Sequence, residues 1–140
     1  MNTHRIILAL FLVAILASTS VHAGESDGRF LRSVGTISQS DAQFRTVITA
    51  ATSTNSLPDI SVSWWVGDDV SSASMPATRA GWFAFIEQPG RVWIFDGDAL
   101  SLVDRRGKSM SVSSSAEVFK TCPKQVRTGL PEEIQKRYFK

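Results

Sequence analysis

Four short runs of aromatic and β-branched residues, separated by turn signals, dominate the second half of the chain. Within these runs apolar side chains alternate with polar ones or follow one another directly, which is typical of β-strands. The turn signals are Pro89-Gly90, Asp96-Gly97 and Arg106-Gly107. The runs cover residues 82–87, 91–95, 99–103 and 109–112. This pattern predicts an antiparallel meander over residues 82–112, around which the rest of the chain packs.

If each turn is a two-residue loop, the turns also predict which residues face each other across the meander. Ile86 then lies opposite Trp93, Trp93 opposite Leu100, and Val103 opposite Met110. One predicted face carries Trp82, Ala84, Ile86, Trp93, Phe95, Leu100 and Leu102, and the other carries Phe83, Phe85, Val92, Ile94, Ala99, Val103, Met110 and Val112. Because both faces are apolar, other elements must cover both sides of the sheet. The serines within residues 109–113 predict that the last strand lies at a sheet edge.

The chain before the meander contains further strand patterns of unequal strength. Residues 30–37 are a weak strand candidate followed by a turn at 38–41. Residues 44–50 are a better candidate because β-branched residues dominate them, and residues 51–59 are predicted to be a loop. Residues 60–66 alternate cleanly and form the clearest half-buried strand. Residues 67–80 are small and polar, so they are predicted to be a loop that is either functional or disordered.

Helical signals are confined to the end of the chain. Ser114 and Glu117 have the spacing of a capping box, which predicts a short helical turn that Pro123 ends. A second helix is predicted from Pro131, with a stripe of Leu130, Ile134 and Tyr138 that covers part of one apolar face. The predicted fold is therefore mainly β: five to seven antiparallel strands in a small sandwich or a partly open barrel, with a short C-terminal helix.

Residues 1–23 have the layout of a secretory signal peptide. A short polar opening with Arg5 precedes the apolar run 6–17, and Val21 and Ala23 are the small residues expected before a cleavage site. The run is shorter than the roughly 20 residues that a membrane-spanning helix needs. We therefore expect a single exported domain of residues 24–140, without a stable membrane span, in the periplasm or outside the cell.

The charge of the chain argues against nucleic acid as a partner. Loss of Arg5 with the leader lowers the formal net charge from +2 to +1, and a nearly neutral domain lacks the basic surface that binds phosphates. Six basic residues near the C-terminus are interrupted by two glutamates, so they are interpreted as a solvated helix face. The six are Lys120, Lys124, Arg127, Lys136, Arg137 and Lys140.

The predicted exported domain contains no histidine, because both histidines, His4 and His22, lie in the leader. This removes the usual general base, the usual activator of a serine or cysteine nucleophile, and the commonest zinc ligand. Cys122 is the single cysteine, and burial is favoured over a disulfide-linked homodimer. No metal, cofactor or catalytic residue is predicted.

Carboxylates are the remaining route to catalysis. Asp68 and Asp69 open the 67–80 segment, and Asp96 and Asp98 bracket a turn of the meander. Paired carboxylates hydrolyse glycosidic bonds when they are held several ångströms apart. The Asp-Gly-Asp sequence is also what a tight hairpin requires, so a turn role is favoured over acid catalysis or calcium binding.

Among the tryptophans, Trp65 is the best candidate for a binding residue. Its neighbours on the same predicted face are Ser61 and Ser63, so the ring is either covered by another element or exposed as a stacking platform. Trp82 is the second candidate because it borders the 67–80 segment, and Asp68 and Asp69 are weaker candidates within that segment. All four are predicted ligand-binding residues.

Together these features favour an exported, non-enzymatic binding or inhibitory module that recognises a protein or a glycan. One alternative is a carboxylate-dependent hydrolase that uses Asp68, Asp69, Asp96 or Asp98. Another is an envelope assembly subunit in which the edge strand of residues 109–113 pairs with another chain.

Overall fold

The structure is a computed structural model that describes residues 28–52, 57–106 and 109–139. The predicted signal peptide, residues 1–23, lies outside the described residues, as does Gly107 of the last predicted turn. The strands are β1 Phe30–Leu31, β2 Gly35–Ser40, β3 Arg45–Thr52, β4 Pro58–Val66, β5 Asp69–Pro76, β6 Phe83–Gln88, β7 Arg91–Phe95, β8 Leu100–Arg106 and β9 Ser109–Ser113. The helices are α1 Ala116–Phe119, α2 Lys124–Gly129 and α3 Glu132–Tyr138.

The strands form two antiparallel sheets that pack face to face. The first sheet has the strand order β1-β6-β7-β8-β9, and the second has the order β2-β3-β4-β5. The mainly β prediction is confirmed: the described strands form two antiparallel sheets and no closed barrel. The meander is confirmed as β6 to β9, and β9 is an edge strand as the serines predicted.

Two apolar cores cover the two faces of the first sheet, as its composition predicted. One core lies between the sheets, where residues such as Ile48, Ile60 and Trp64 of the second sheet meet Ile86 and Ile94 of the first. The other core lies between the first sheet and the helices. It contains Phe83, Phe85, Trp93, Phe95, Leu100 and Leu102 from the strands and Phe119, Cys122, Val126, Leu130 and Ile134 from the helical segment.

The register between β6 and β7 differs from the prediction by one residue. Phe85, not Ile86, lies opposite Trp93, because the ladder is irregular between Ile86 and Gln88 and leaves Glu87 as an extra residue. A one-residue slip moves every side chain of a strand to the other face. The predicted faces were therefore wrong for β6: Ala84 and Ile86 face the second sheet, while Phe83 and Phe85 face the helices.

The other two meander pairings differ from the prediction by two residues, which leaves the faces unchanged. Phe95 pairs with Leu100, so Trp93 lies opposite Leu102 across a four-residue connection instead of a two-residue loop. Val103 lies opposite Val112, not Met110. The Asp96 side chain explains the longer connection, because its Oδ1 accepts hydrogen bonds from the backbone N–H groups of Asp98 and Ala99.

The largest error concerned residues 67–80, which are mostly a strand instead of a loop. β5 pairs with β4 over eight consecutive residues, from Asp69 opposite Val66 to Pro76 opposite Asp59. Small polar residues have weak strand propensity, so the pattern was missed. The strand count also exceeds the predicted range, since residues 30–37 divide between β1 and β2 and the predicted turn at 38–41 begins only after Ser40.

The helical segment confirms the two predicted helices and adds a third. α1 follows Ser115, whose side chain makes no capping hydrogen bond, so the predicted capping box at Ser114 was wrong. α2 was not predicted, because its polar sequence buries only Val126. α3 begins after Pro131 and packs through the predicted stripe on the first sheet. Within the described residues the structure contains no helix whose length and apolarity would carry it across a membrane.

Candidate functional site

The outer face of the second sheet is covered by rows of small hydroxyl side chains. One row runs Thr36, Thr49, Ser61, Ser74 across the four strands, and the next runs Ser38, Val47, Ser63, Ser72. Neighbouring hydroxyls are hydrogen-bonded: Oγ of Ser63 lies 2.9 Å from Oγ of Ser72, and Oγ of Ser61 lies 3.3 Å from Oγ of Ser74. Such cross-strand hydroxyl pairs help to stabilise a solvent-facing sheet surface. We call this surface the hydroxyl face.

Trp65 lies in the third row of the hydroxyl face, at one end of the sheet. It is half-buried, and Arg45 is its direct cross-strand partner. The Arg45 guanidinium carbon lies 5.4 Å from the Trp65 ring centroid, which is within the range of a cation–π contact. The guanidinium therefore packs on the indole ring, which stays partly exposed to solvent.

A shallow depression of about 340 Å³ opens beside Trp65. The turn between β2 and β3 forms one wall and Gly67, in the turn between β4 and β5, forms part of the other. The lining residues are Ser40, Asp41, Ala42, Gln43, Phe44, Arg45, Trp65 and Gly67. We call this depression, with Trp65 and Arg45, the Trp65 site. It combines an aromatic ring, a cation, and several polar groups at one end of the hydroxyl face.

The β2–β3 turn that forms the wall of the Trp65 site is held by Asp41. The Asp41 Oδ1 accepts hydrogen bonds from the backbone N–H groups of Gln43 at 2.7 Å and Phe44 at 2.8 Å. These two hydrogen bonds to the charged form lower the pKa of the Asp41 carboxyl below its ordinary value. The turn is thus held in one shape by a side chain of its own.

The same end of the sandwich is tied to the first sheet through Phe44 and Thr46. The Arg105 guanidinium carbon lies 4.5 Å from the Phe44 ring centroid. The Gly90 N–H donates a 2.8 Å hydrogen bond to Oγ1 of Thr46, which is completely buried. Because Gly90 belongs to the β6–β7 turn, this hydrogen bond joins the two sheets close to the β2–β3 turn.

The structure brings three of the four predicted binding residues to one end of the second sheet. Asp68 lies in the β4–β5 turn, and Asp69 is the first residue of β5. Asp69 precedes Val70, which lies opposite Trp65. Both aspartates are exposed, and their role in binding stays a prediction. Trp82 is elsewhere: it is only 8% exposed and belongs to the core between the sheets. It is therefore not part of the Trp65 site.

The aspartates around the meander turn make local structural contacts. Asp96 and Asp98 both accept hydrogen bonds from the Thr78 hydroxyl, and Asp98 also forms a 3.0 Å ion pair with Arg79. These contacts explain the Asp-Gly-Asp sequence by turn stability. Across the described residues, no three His, Cys, Asp or Glu side chains are grouped in a way that could hold a metal ion.

Arg91 is the centre of a partly buried ionic network beside the helices. Its guanidinium lies 3.0 Å from Glu87 and 3.6 Å from Asp104, and it donates a 2.7 Å hydrogen bond to Oγ1 of Thr121. The Trp93 indole N–H donates to Oε1 of Glu87 at 2.9 Å. The network joins β6, β7 and β8 to the chain after α1, so its evident role is to fix the helices on the sheet.

Cys122 lies next to this network and is buried in the helix-side core. The pKa of the thiol is raised to about 11, chiefly because burial removes it from water; the charge of Arg127 lowers the pKa, that of Glu87 raises it, and that of Arg91 lowers it. A thiol with such a pKa is protonated at neutral pH and is a poor nucleophile. Burial of Cys122 is thus confirmed, and a disulfide-linked dimer stays an untested prediction.

Two features of the Trp65 site were not predicted from the sequence. Arg45 and Asp41 lie 20 and 24 positions before Trp65, and only the register of β3 with β4 brings Arg45 to the indole. The available signal was the Ser-x-Ser pattern before Trp65, which already indicated a polar sheet face. Comparison of the chain with protein-family models, with curated proteins and with solved structures finds no match.

Proposed function

We propose that this protein is an exported, non-enzymatic binding module that recognises a glycan through the Trp65 site and the adjoining hydroxyl face. The observation that carries the proposal is the half-buried Trp65 ring, held by Arg45 beside an open depression. Tryptophan and arginine are the residues most enriched where binding energy concentrates. Export rests on the leader pattern of residues 1–23.

The chemistry of the surface favours a sugar over an apolar partner. A sugar ring presents C–H groups on its faces and hydroxyls around its rim, so it stacks on an indole and exchanges hydrogen bonds with serine and threonine hydroxyls. The rows containing Ser61 and Ser72 supply such hydroxyls without a charged side chain. Binding sites of this kind use a few placed polar groups around an aromatic surface.

The test is capture of material from an envelope extract by the immobilised protein and by two variants. Trp65→Ala removes the ring, and Trp65→Phe keeps an aromatic surface. A matched control, Val34→Ala, shortens an exposed apolar residue outside the Trp65 site. We expect Trp65→Ala to weaken binding by about 30-fold, as a central aromatic contact does, while the Phe variant and the control retain most of it.

Pretreatment of the extract identifies the class of ligand. Periodate cleaves the vicinal diols of sugars and protease digests proteins. The proposal is supported if periodate abolishes the capture, protease leaves it intact, and Trp65→Ala weakens it. If protease abolishes the capture, the ligand is a protein and not a glycan. If the wild type and Trp65→Ala capture equal amounts, the Trp65 site is not where the ligand binds.

A further inference from the structure

β5 is a long edge strand whose outer side is unpaired. It forms eight consecutive pairs with β4, without a register shift. On its other side, no strand among the described residues pairs with it. In an antiparallel sheet every second residue of an edge strand directs its N–H and C=O away from the neighbour. β5 therefore presents a row of backbone donors and acceptors to another chain.

β5 lacks most of the features that prevent edge strands from pairing. Such strands are usually very short, interrupted by a bulge, or protected by lysine or an internal proline. β1 follows this rule, because it has only two residues. β5 has eight residues, a regular ladder and no basic residue, and its one proline, Pro76, is the last residue of the strand. The edge therefore keeps a regular register along which a second strand can pair.

Exposed apolar side chains mark the same side of the sandwich. Of the described residues, three large hydrophobic side chains are exposed: Val34, Val70 and Val112. Val70 of β5 is 56% exposed and Val112 of β9 is 53% exposed. β9 contacts β5 at the border of the two sheets, so this side of the molecule carries both valines. A strand paired with β5 would lie beside Val70 and lower its exposure to water.

The charges around β5 specify the direction in which a copy of this chain pairs. Asp68 and Asp69 lie at the beginning of the strand, and Arg79 lies three residues after its end. Arg79 is exposed, and the ion pair that it forms with Asp98 is also exposed. In an antiparallel pair of identical strands each acidic end meets the basic end of the other, whereas a parallel pair would place like charges together.

We propose that two copies of this chain associate through antiparallel pairing of β5 with β5 around a twofold axis. The second sheets of the two copies then form one continuous eight-stranded sheet. Because opposite residues of an antiparallel pair point to the same side, both hydroxyl faces and both copies of Trp65 lie on one surface. The inference does not depend on what the Trp65 site binds.

The experiment compares two double variants that carry equal charge on opposite edges of the second sheet. Ser72→Lys with Ser74→Lys places two lysines near the middle of β5. When the middles of the two β5 strands pair, the lysines of one copy lie opposite those of the other across the twofold axis. Thr36→Lys with Ser38→Lys is the matched control, because these residues occupy the same two rows on the other edge strand, β2. Protein purified from cells that express the full chain is used throughout.

Sedimentation velocity over a range of concentrations measures the association, and circular dichroism confirms that both variants fold. We expect a monomer–dimer equilibrium whose dissociation constant rises about tenfold or more in the β5 variant, because like charges that face each other oppose pairing. The β2 variant retains the wild-type constant. Amide hydrogen exchange across residues 69–76 slows as the wild-type concentration rises and does not slow in the β5 variant.

Three outcomes would overturn the inference. A wild-type protein that stays monomeric at its highest soluble concentration excludes self-pairing. A dimer that the β5 lysines leave unchanged places the interface elsewhere. A dimer that the β2 lysines disrupt as strongly as the β5 lysines do assigns the effect to net charge or to the other edge.

Discussion

Replacement of Phe119 by alanine tests whether the helical segment is an integral part of the fold. Phe119 is the last residue of the four-residue helix α1 and is completely buried. Its ring makes an edge contact with Tyr138, with centroids 4.4 Å apart, and lies 6.2 Å from the Trp93 ring of the first sheet. One side chain therefore joins α1, α3 and the sheet.

The expected loss follows from these contacts. Burial of a phenylalanine side chain contributes about 1.5–3 kcal/mol through removal from water. Each aromatic pair contributes roughly 1 kcal/mol beyond burial, and the cavity left by truncation adds to the loss. The Phe119→Ala change is thus expected to lower the free energy of unfolding by about 4 kcal/mol, in line with other Phe-to-Ala changes in cores. That is a large share of the roughly 5–15 kcal/mol of a typical domain.

Urea unfolding monitored by tryptophan fluorescence measures this change, because Trp93 lies in the same core. The matched control is Glu117→Ala on the same helix, whose exposed ion pair with Lys120 contributes at most about 0.5 kcal/mol. A loss below about 1 kcal/mol for Phe119→Ala would refute the reasoning, since the helices would then be dispensable. Equal losses in the two variants would show that α1 itself, and not the ring, is what matters.

Two further predictions concern Cys122 and the glycines of two turns. Burial raises the pKa of the Cys122 thiol from 9.0 to about 11, so the contribution of the protonated thiol to folding stability is complete below pH 9 and is lost as the pH rises toward 11. The free energy of unfolding of Cys122→Ala should therefore depend less on pH in this range than that of the wild type. Identical pH profiles of the two proteins would contradict the burial of a protonated thiol. Gly97→Ala should cost about 3 kcal/mol, since φ is +113° and a Cβ would lie 2.7 Å from the backbone nitrogen of Arg79. Gly67→Ala, at φ +61° in open space, should cost about 1 kcal/mol by the same urea assay, and equal losses would show that the contact with Arg79 is unimportant.

The meander was predictable because its strands are rich in β-branched and aromatic residues, whose side chains fit a pleated surface. The registers were not, because they depend on details that periodicity does not contain. The extra residue at Glu87 moved Phe85 opposite Trp93, and the Asp96 side chain lengthened the next connection. Both are local changes in backbone hydrogen bonding that depend on how the surrounding side chains pack.

The candidate site was predictable only in part, for a related reason. The Ser-x-Ser pattern before Trp65 indicated a polar face with one aromatic residue, and the structure places Trp65 on such a face; its role in binding stays a prediction. Arg45 could not be assigned to it, because β3 and β4 are joined through a segment whose length does not determine their pairing. Trp82 illustrates the opposite case, since proximity in sequence to residues 67–80 did not place it near Trp65 in space.

Sequence alone determined the fold class, the meander, the polar edge at β9 and the need to cover two apolar faces, because these follow from which side chains avoid water. Tertiary structure decided the existence of β5, the sides that Phe85 and Ile86 face, and the meeting of Arg45 with Trp65. A strand of serines and alanines has little preference of its own, and it forms because β4 supplies its hydrogen-bonding partner.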